Sequence, residues 1–289
     1  ALALARAGAS VILAGRNPSK GAAAIDRIRH DVVNANVWFE ELDLANLDSI
    51  AAFGKHLHSS FDSIDLLINN AGVMAPPDRK MTADHFELQF GTNFALTAQL
   101  LPLLCNGNHP RIVTLSSVAA RSGAIDFDDL QSGRSYKPMV AYGQSKLACL
   151  MFSLELQRRS DVAGWGIQSI AAHPGVSRTD LLPNGAGAQS VVGIIRRYLW
   201  FLFQPAAQGA LPTLFAATSP QAQGGAYYGP DRFGETRGYP SAAKLPPQAL
   251  DLEVAIRLWE ESERLTGALF SLEEIQNSSV ADKRNISLN

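Results

Sequence analysis

Asp65-Leu66-Leu67-Ile68-Asn69-Asn70-Ala71-Gly72 is a short apolar run that ends in a small polar turn. A run this short, closed by Asn and Gly, reads as a buried strand. The same strand-then-turn pattern recurs on both sides of it. Upstream, Ser10 to Ala14 is a strand, and Pro18 to His30 is a helix with Asn17 as its cap and Pro18 at its first position. Asn36 to Glu40 is a second strand that runs on to Asp43-Leu44, and Leu47 to Phe61 is helical, although Gly54 weakens it. Downstream, Thr82 to about Cys105 gives a long helical pattern containing Gly91 and Pro102. Arg111 to Ser116 is a strand, Val140 to Arg159 a helix, and Ile167 to Ala172 a strand ending in His173-Pro174-Gly175. Strand and helix alternating in this way predict an α/β fold, a doubly wound parallel sheet with helices on both faces. Such sheets bind ligands beyond the carboxyl ends of their strands. Arg16, Asp43, Asn70, Ser116-Ser117 and Pro174-Gly175 all follow a strand.

The chain has 289 residues, 46% of them hydrophobic, which suits one large α/β domain or two small ones. A net charge of −2 offers no electrostatic footprint for nucleic acid or an anionic membrane. Cys105 and Cys149 lie within apolar helical patterns and are expected as buried thiols of a reducing compartment. No apolar run reaches transmembrane length. The expectation is a soluble cytoplasmic protein with no metal site.

From about Asn184 the composition changes. Val191 to Phe203 is apolar and aromatic nearly all round. It reads as a helix packed over the open side of the domain, as a lid lining an apolar pocket, or as a membrane-surface contact. Gln208 to Thr218 is another helix, Ala226 to Pro230 a short strand and turn, and Pro247 to Leu265 a closing amphipathic helix. The expected organisation is one domain over residues 1–276, with a small substrate lobe at 184–245, and a polar tail at 277–289.

Tyr142-Gly143-Gln144-Ser145-Lys146 lies near the start of the predicted 140–159 helix. Residues four apart share a helix face, so a phenol and an ammonium stand side by side. A cation beside a phenol favours the phenolate and makes proton exchange by tyrosine easier. The motif alone also fits an ordinary helix surface.

Taken in order, the Asn69-Asn70-Ala71-Gly72 turn, the Ser-Ser pair ending a strand, Tyr-x-x-x-Lys, and Pro174-Gly175 followed by Thr179 resemble the short-chain dehydrogenase/reductase family. Among its members the retinol-dehydrogenase-like reductases and their bacterial relatives are most similar. The resemblance runs from Ala1 to about Thr266 and implies a Rossmann-like fold. It implies Tyr142 as general acid/base, Lys146 as its partner and a ligand of the nicotinamide ribose, and Ser117 as the hydrogen-bond partner of the substrate oxygen. Asn93 matches the asparagine of a water-linked proton relay. On the cofactor side it implies Asp43 and Leu44 about the adenine, and Asn70, with Ala71 and Gly72, along the adenosine ribose. Pro174, Gly175, backbone at Ser177 and the hydroxyl of Thr179 fall at the nicotinamide amide. NAD-preferring members carry an acid at the end of the second family strand. Here Ala14-Gly15-Arg16 stands there, and an arginine suits a 2′-phosphate through its planar fork of donors, so NADP(H) is expected.

Two departures from the family pattern stand out. Ala1 to Ala9 reads as the tail of a helix closed by Gly8. The family's central strand and glycine-rich turn would lie upstream of it, between the strands at Ser10 and Asp65. The 289 residues are therefore expected to be a fragment that neither folds well nor holds a dinucleotide tightly. The second departure follows Asn93, where Asn93-Phe94-Ala95-Leu96-Thr97 is four residues shorter than in similar relatives. That shortening puts the relay in doubt, together with the homodimer or homotetramer the family builds with this helix. The expected function is NADP(H)-dependent hydride transfer to or from a carbonyl or alcohol of a lipophilic small molecule. The alternatives are a truncated or catalytically silent relative acting as a binding protein, and lyase or epimerase chemistry with the same Tyr-Lys pair.

Overall fold

The computed structural model describes residues 1–90, 93–177 and 204–270. Thr179, the apolar segment 191–203, most of the 184–245 lobe's first half and the 277–289 tail lie outside the described residues. The first half of the chain is α1 (Leu2–Arg6), β1 (Val11–Gly15), α2 (Pro18–Asp31), β2 (Val37–Glu41), α3 (Leu47–Ser60), β3 (Leu66–Asn69) and α4 (Asn93–Cys105). β4 (Arg111–Leu115), α5 (Pro138–Ala163), β5 (Gln168–Ala172), α6 (Ala206–Gly209), α7 (Leu211–Thr218), β6 (Tyr227–Arg232), β7 (Arg237–Ala242) and α8 (Leu252–Thr266) follow.

The helix ends are where local chemistry puts them. The Asn17 side chain accepts the Lys20 N–H at the start of α2, with Pro18 next in the helix. The Asn46 carboxamide accepts from Asp48 and Ser49 at the start of α3. Gly164 closes α5 in the left-handed conformation at φ 66°.

The sheet is α/β and mostly parallel, but it comes in two blocks. β1 pairs with β2, and a second sheet runs β3-β4-β5-β6-β7, parallel except for the final β6–β7 pair. Among the described residues β1 and β3 share no ladder. The strand pleat explains how helices cover both faces of the second sheet. On β5, Ala171 packs with α5 and α8, while Ile170 and Ala172 pack with α7. The largest cluster joins α3 and α4 through Ile50, Phe53, Leu57, Leu100, Leu101 and Leu104. Gly54, which weakens α3 on propensity, lets α4 come close: a Cβ there would press on the Gln99 side chain.

Three segments differ from expectation. Residues 82–90 do not belong to the helix ending at Cys105. The Thr82 hydroxyl accepts the N–H groups of Asp84 and Phe86, and the Glu87 carboxylate accepts those of Gln89 and Phe90. These side chains take the backbone donors that a helix would need, and His85 adopts φ 66°. The helix expected over 208–218 is broken into α6 and α7. Pro212 lies in the first turn of α7, where its missing N–H is tolerated and a continuous helix is not. The strand at Tyr227 extends to Arg232 and turns into β7 through Phe233, Gly234 and Glu235, all at positive φ. The thiols of Cys105 and Cys149 are half-buried rather than buried, and burial pushes Cys105 up to about 11.

Candidate active site

The second sheet aligns the ends of β3, β4 and β5 in register, with Asn69 beside Thr114 and Leu115 beside Ala172. Tyr142 and Lys146 lie in the second and third turns of α5, which packs against β4 and β5, and both side chains are buried. Lys146 Nζ donates to the Leu115 carbonyl at 3.1 Å and lies 5.9 Å from the centre of the Tyr142 ring. The phenol and the ammonium therefore share a face, with the ammonium at the outer limit of cation–π range from the ring. Among the described residues no carboxylate pairs with Lys146. A buried cation with a single carbonyl partner keeps donors for a ligand.

The two serines have separate work. Ser116 is buried, and its hydroxyl donates to the Lys146 carbonyl at 2.7 Å, fastening β4 to α5. Ser117 is half-buried at the start of a single 3₁₀ turn over Val118–Ser122, and its oxygen accepts the Ala119 N–H at 3.2 Å. That leaves its O–H proton to be donated elsewhere. Tyr227 on β6 lies behind both serines, and its hydroxyl reaches the Ser117 carbonyl at 3.4 Å. Burial holds the Tyr227 phenol well above its ordinary range, so it stays a donor.

The β3 turn splits its two asparagines. Asn69 turns inward to donate to Thr97 on α4 at 3.0 Å, whereas Asn70, Ala71 and Gly72 are exposed. A Cβ on Gly72 would lie 3.4 Å from Lys146 Nζ, so the bare turn leaves the ammonium approachable. After β5, Gly175 adopts φ 63°, and any Cβ there would collide with the Thr236 carbonyl. Ser177 is buried; its hydroxyl donates to the Pro174 carbonyl at 2.9 Å, and its backbone bridges to Gln204. Gly209 of α6 comes so close that a Cβ on it would collide with the Ser177 hydroxyl.

Arg16 and Asp43 end β1 and β2, and their side chains approach to 3.8 Å while both stay substantially exposed. Asp43 Oδ1 also accepts the Ala45 N–H, and Leu44 packs against the main core. Asn93 is the first residue of α4, and its side chain lies outside the described residues. The structure thus brings Tyr142, Lys146 and Gly72 together, with Ser117 next to the serine that ties β4 to α5, and it holds Arg16 and Asp43 as a pair on the other sheet block.

A polar group that the sequence did not single out lies beneath the β5 turn. His173 is fully buried; its Nδ1 accepts the Gly175 N–H at 3.2 Å, so Nε2 carries the proton and donates to Glu235 at 3.0 Å. Glu235 also pairs with Arg121 at 2.6 Å. Burial lowers His173 below the ordinary imidazole value, and Glu235 only partly opposes this. The signal in the sequence was His173 itself, next to Pro174-Gly175; its partners come from elements far along the chain.

Among the described residues no helix is long and apolar enough to cross a membrane, and no cluster of ligating side chains could hold a metal.

A family profile described as short chain dehydrogenase matches residues 1–186. Human retinol dehydrogenase 13 is 40% identical over 279 residues, covering 92% of this chain and 80% of its own. Mouse polyprenol dehydrogenase is 37% identical over 276 residues, covering 92% of this chain and 78% of its own. The crystal structure of an uncharacterised protein from Mycobacterium paratuberculosis matches with a TM-score of 0.76 at 38% identity, covering 94% of this chain and 89% of that one.

Proposed function

Because the chain belongs to the short chain dehydrogenase family, as an NAD(P)-dependent oxidoreductase similar to the retinol dehydrogenases, we propose that Ser117, Tyr142 and Lys146 interconvert a carbonyl and an alcohol on a lipophilic small molecule. The observation that carries this reading is that Lys146, beside the Tyr142 ring, reaches the Leu115 carbonyl while Ser116, the neighbour of Ser117, ties the end of β4 to α5. The nicotinamide, when bound, supplies or accepts the hydride. In reduction Tyr142 gives its hydroxyl proton to the substrate oxygen, and in oxidation it takes that proton back. Ser117 donates a hydrogen bond to the same oxygen, so developing negative charge meets donors already in place. Lys146, fixed by the Leu115 carbonyl, opposes the charge left on the tyrosine and, with Gly72 leaving its ammonium approachable, would hold the nicotinamide ribose.

The residues fit a nicotinamide nucleotide at both ends: a buried ammonium held by one carbonyl beside a bare turn at one, and the Arg16 fork with Asp43 at the other. NADP(H) is the preferred form, since Arg16 follows β1 with its guanidinium exposed. Asn93 is assigned the relay role on its place in the sequence alone. Long-chain or polyene alcohols and aldehydes are the substrate class. Relatives named for retinol and polyprenol support this, as does the apolar stretch 191–203.

The test is hydride transfer between NADPH or NADH and a series of aldehydes of increasing chain length, followed at 340 nm. Activity that rises with apolar length and favours NADPH agrees with the proposal; activity confined to short polar carbonyls refutes the substrate class. Arg16→Asp is expected to weaken NADPH use by about tenfold or more relative to NADH, as a bidentate cation gives way to a repelling charge. An unchanged NADPH/NADH ratio would remove Arg16 from cofactor choice.

A further inference from the structure

We infer that His173, Glu235 and Arg121 form a positioning clamp that fixes the Pro174–Gly175 turn relative to the segment bearing Ser117; this rests on the proposed function of the site.

The three side chains come from three separate pieces of the active-site wall. Arg121 belongs to the 3₁₀ turn that begins directly after Ser117, and its guanidinium also donates to the Gly234 carbonyl at 3.0 Å. Glu235 sits in the tight β6–β7 turn, held by the Lys244 N–H at 3.0 Å on its other oxygen. His173 ends β5, with the Tyr227 ring 5.1 Å from its own. The histidine therefore faces Glu235, Arg121 and Tyr227, and its remaining nitrogen faces the turn. Gly229 is bare where a Cβ would enter the imidazole, which shows how closely the ring is enclosed.

The consequence is directional. A neutral imidazole has one acceptor nitrogen and one donor nitrogen. Glu235 claims the donor and fixes the tautomer, so the acceptor is aimed at the Gly175 N–H. Gly175 reaches positive φ without strain because it lacks a Cβ, and the bond from its N–H to His173 selects that conformation from the several open to a glycine. Arg121 in turn holds Glu235, and so carries the constraint to the end of β4. One charge-assisted chain thereby sets the distance between the cofactor-side turn and the Ser117 wall. The three bond to one another and to protein backbone, so in this proposal they act through Gly175 and Ser117.

Two substitutions at His173 separate acceptor from donor. Asn carries its polar atoms on Cγ, as Nδ1 is carried, and can accept from Gly175. Gln carries them one atom further and can reach Glu235, but it places no acceptor at Cγ. In the full chain, fluorescence titration with NADPH should show His173→Gln weakening binding by about tenfold, as an enclosed N–H loses its acceptor. The KM for nucleotide should rise similarly while kcat changes much less. His173→Asn should recover most of that affinity. Wild-type affinity in the Gln variant, or an Asn variant no better than Gln, overturns the clamp. Should His173→Gln fail to fold, Glu235→Gln gives the same answer: it keeps an acceptor for Nε2 but loses the charge that holds Arg121. A rise in nucleotide KM of about threefold is then expected, and an unchanged KM overturns the inference. A wild-type chain that binds neither NADPH nor NADH removes the proposed function as well, whereas normal wild-type binding with unaffected variants removes only this inference.

Discussion

Replacing Tyr142 with phenylalanine is expected to lower the rate of hydride transfer by about a thousandfold, the middle of the range for losing a general acid/base. That corresponds to about 4 kcal/mol of lost transition-state stabilisation. Nicotinamide binding should survive, because the ring stays buried and only the hydroxyl is lost. Lys146 keeps its bond to the Leu115 carbonyl, and Ser116 keeps the helix tied to β4. Single-turnover kinetics beside a binding titration separate the two effects. A variant that fails to bind nucleotide would assign Tyr142 a packing role; a variant that still turns over would place the proton transfer on another group, with Tyr227, whose hydroxyl reaches the Ser117 carbonyl, the first to test.

Gly175→Ala should be the most damaging single methyl group in the site. The residue needs φ 63°, which costs a side-chain-bearing residue about 1–2 kcal/mol. The new Cβ would also meet the Thr236 carbonyl and the Pro230 ring, and forced overpacking of this kind costs about 1–3 kcal/mol. Taken together these predict a loss of about 3 kcal/mol and a melting temperature lower by roughly 5–10 °C. Because the colliding partner is backbone of the β6–β7 turn, relief must displace Glu235 and with it His173. Calorimetry tests the first part. A melting temperature equal to wild type would show that the turn yields without cost.

The parts of this protein that were legible in sequence are those whose signal is local. Asn17-Pro18 announced a helix because cap and first residue are adjacent. Tyr142 and Lys146 announced a shared face because they are one turn apart. Residues 82–90 misled for a local reason too: their apolar spacing suits a helix, but Thr82 and Glu87 take the backbone donors for themselves. The clamp beneath Gly175 was not legible. Its histidine and glutamate are 62 residues apart, and the bond from Arg121 to the neighbouring carbonyl of Gly234 spans 113. No periodicity relates such positions; only the sheet order, with β6 laid beside β5, brings them together.

The strands that carry Arg16 and Asp43 have packing of their own. β1 and β2 share a small core of Ala5, Val11, Ile28 and Val37 with α1 and α2. They join the main core chiefly through Ile12, Leu42 and the stack of Trp38 on Phe61. Arg16 and Asp43 follow the two strands of this block. Closure of their side chains onto a bound nucleotide should therefore register as slowed deuterium exchange at the amides of β1 and β2. Exchange there that is the same with and without nucleotide would place the adenosine end elsewhere.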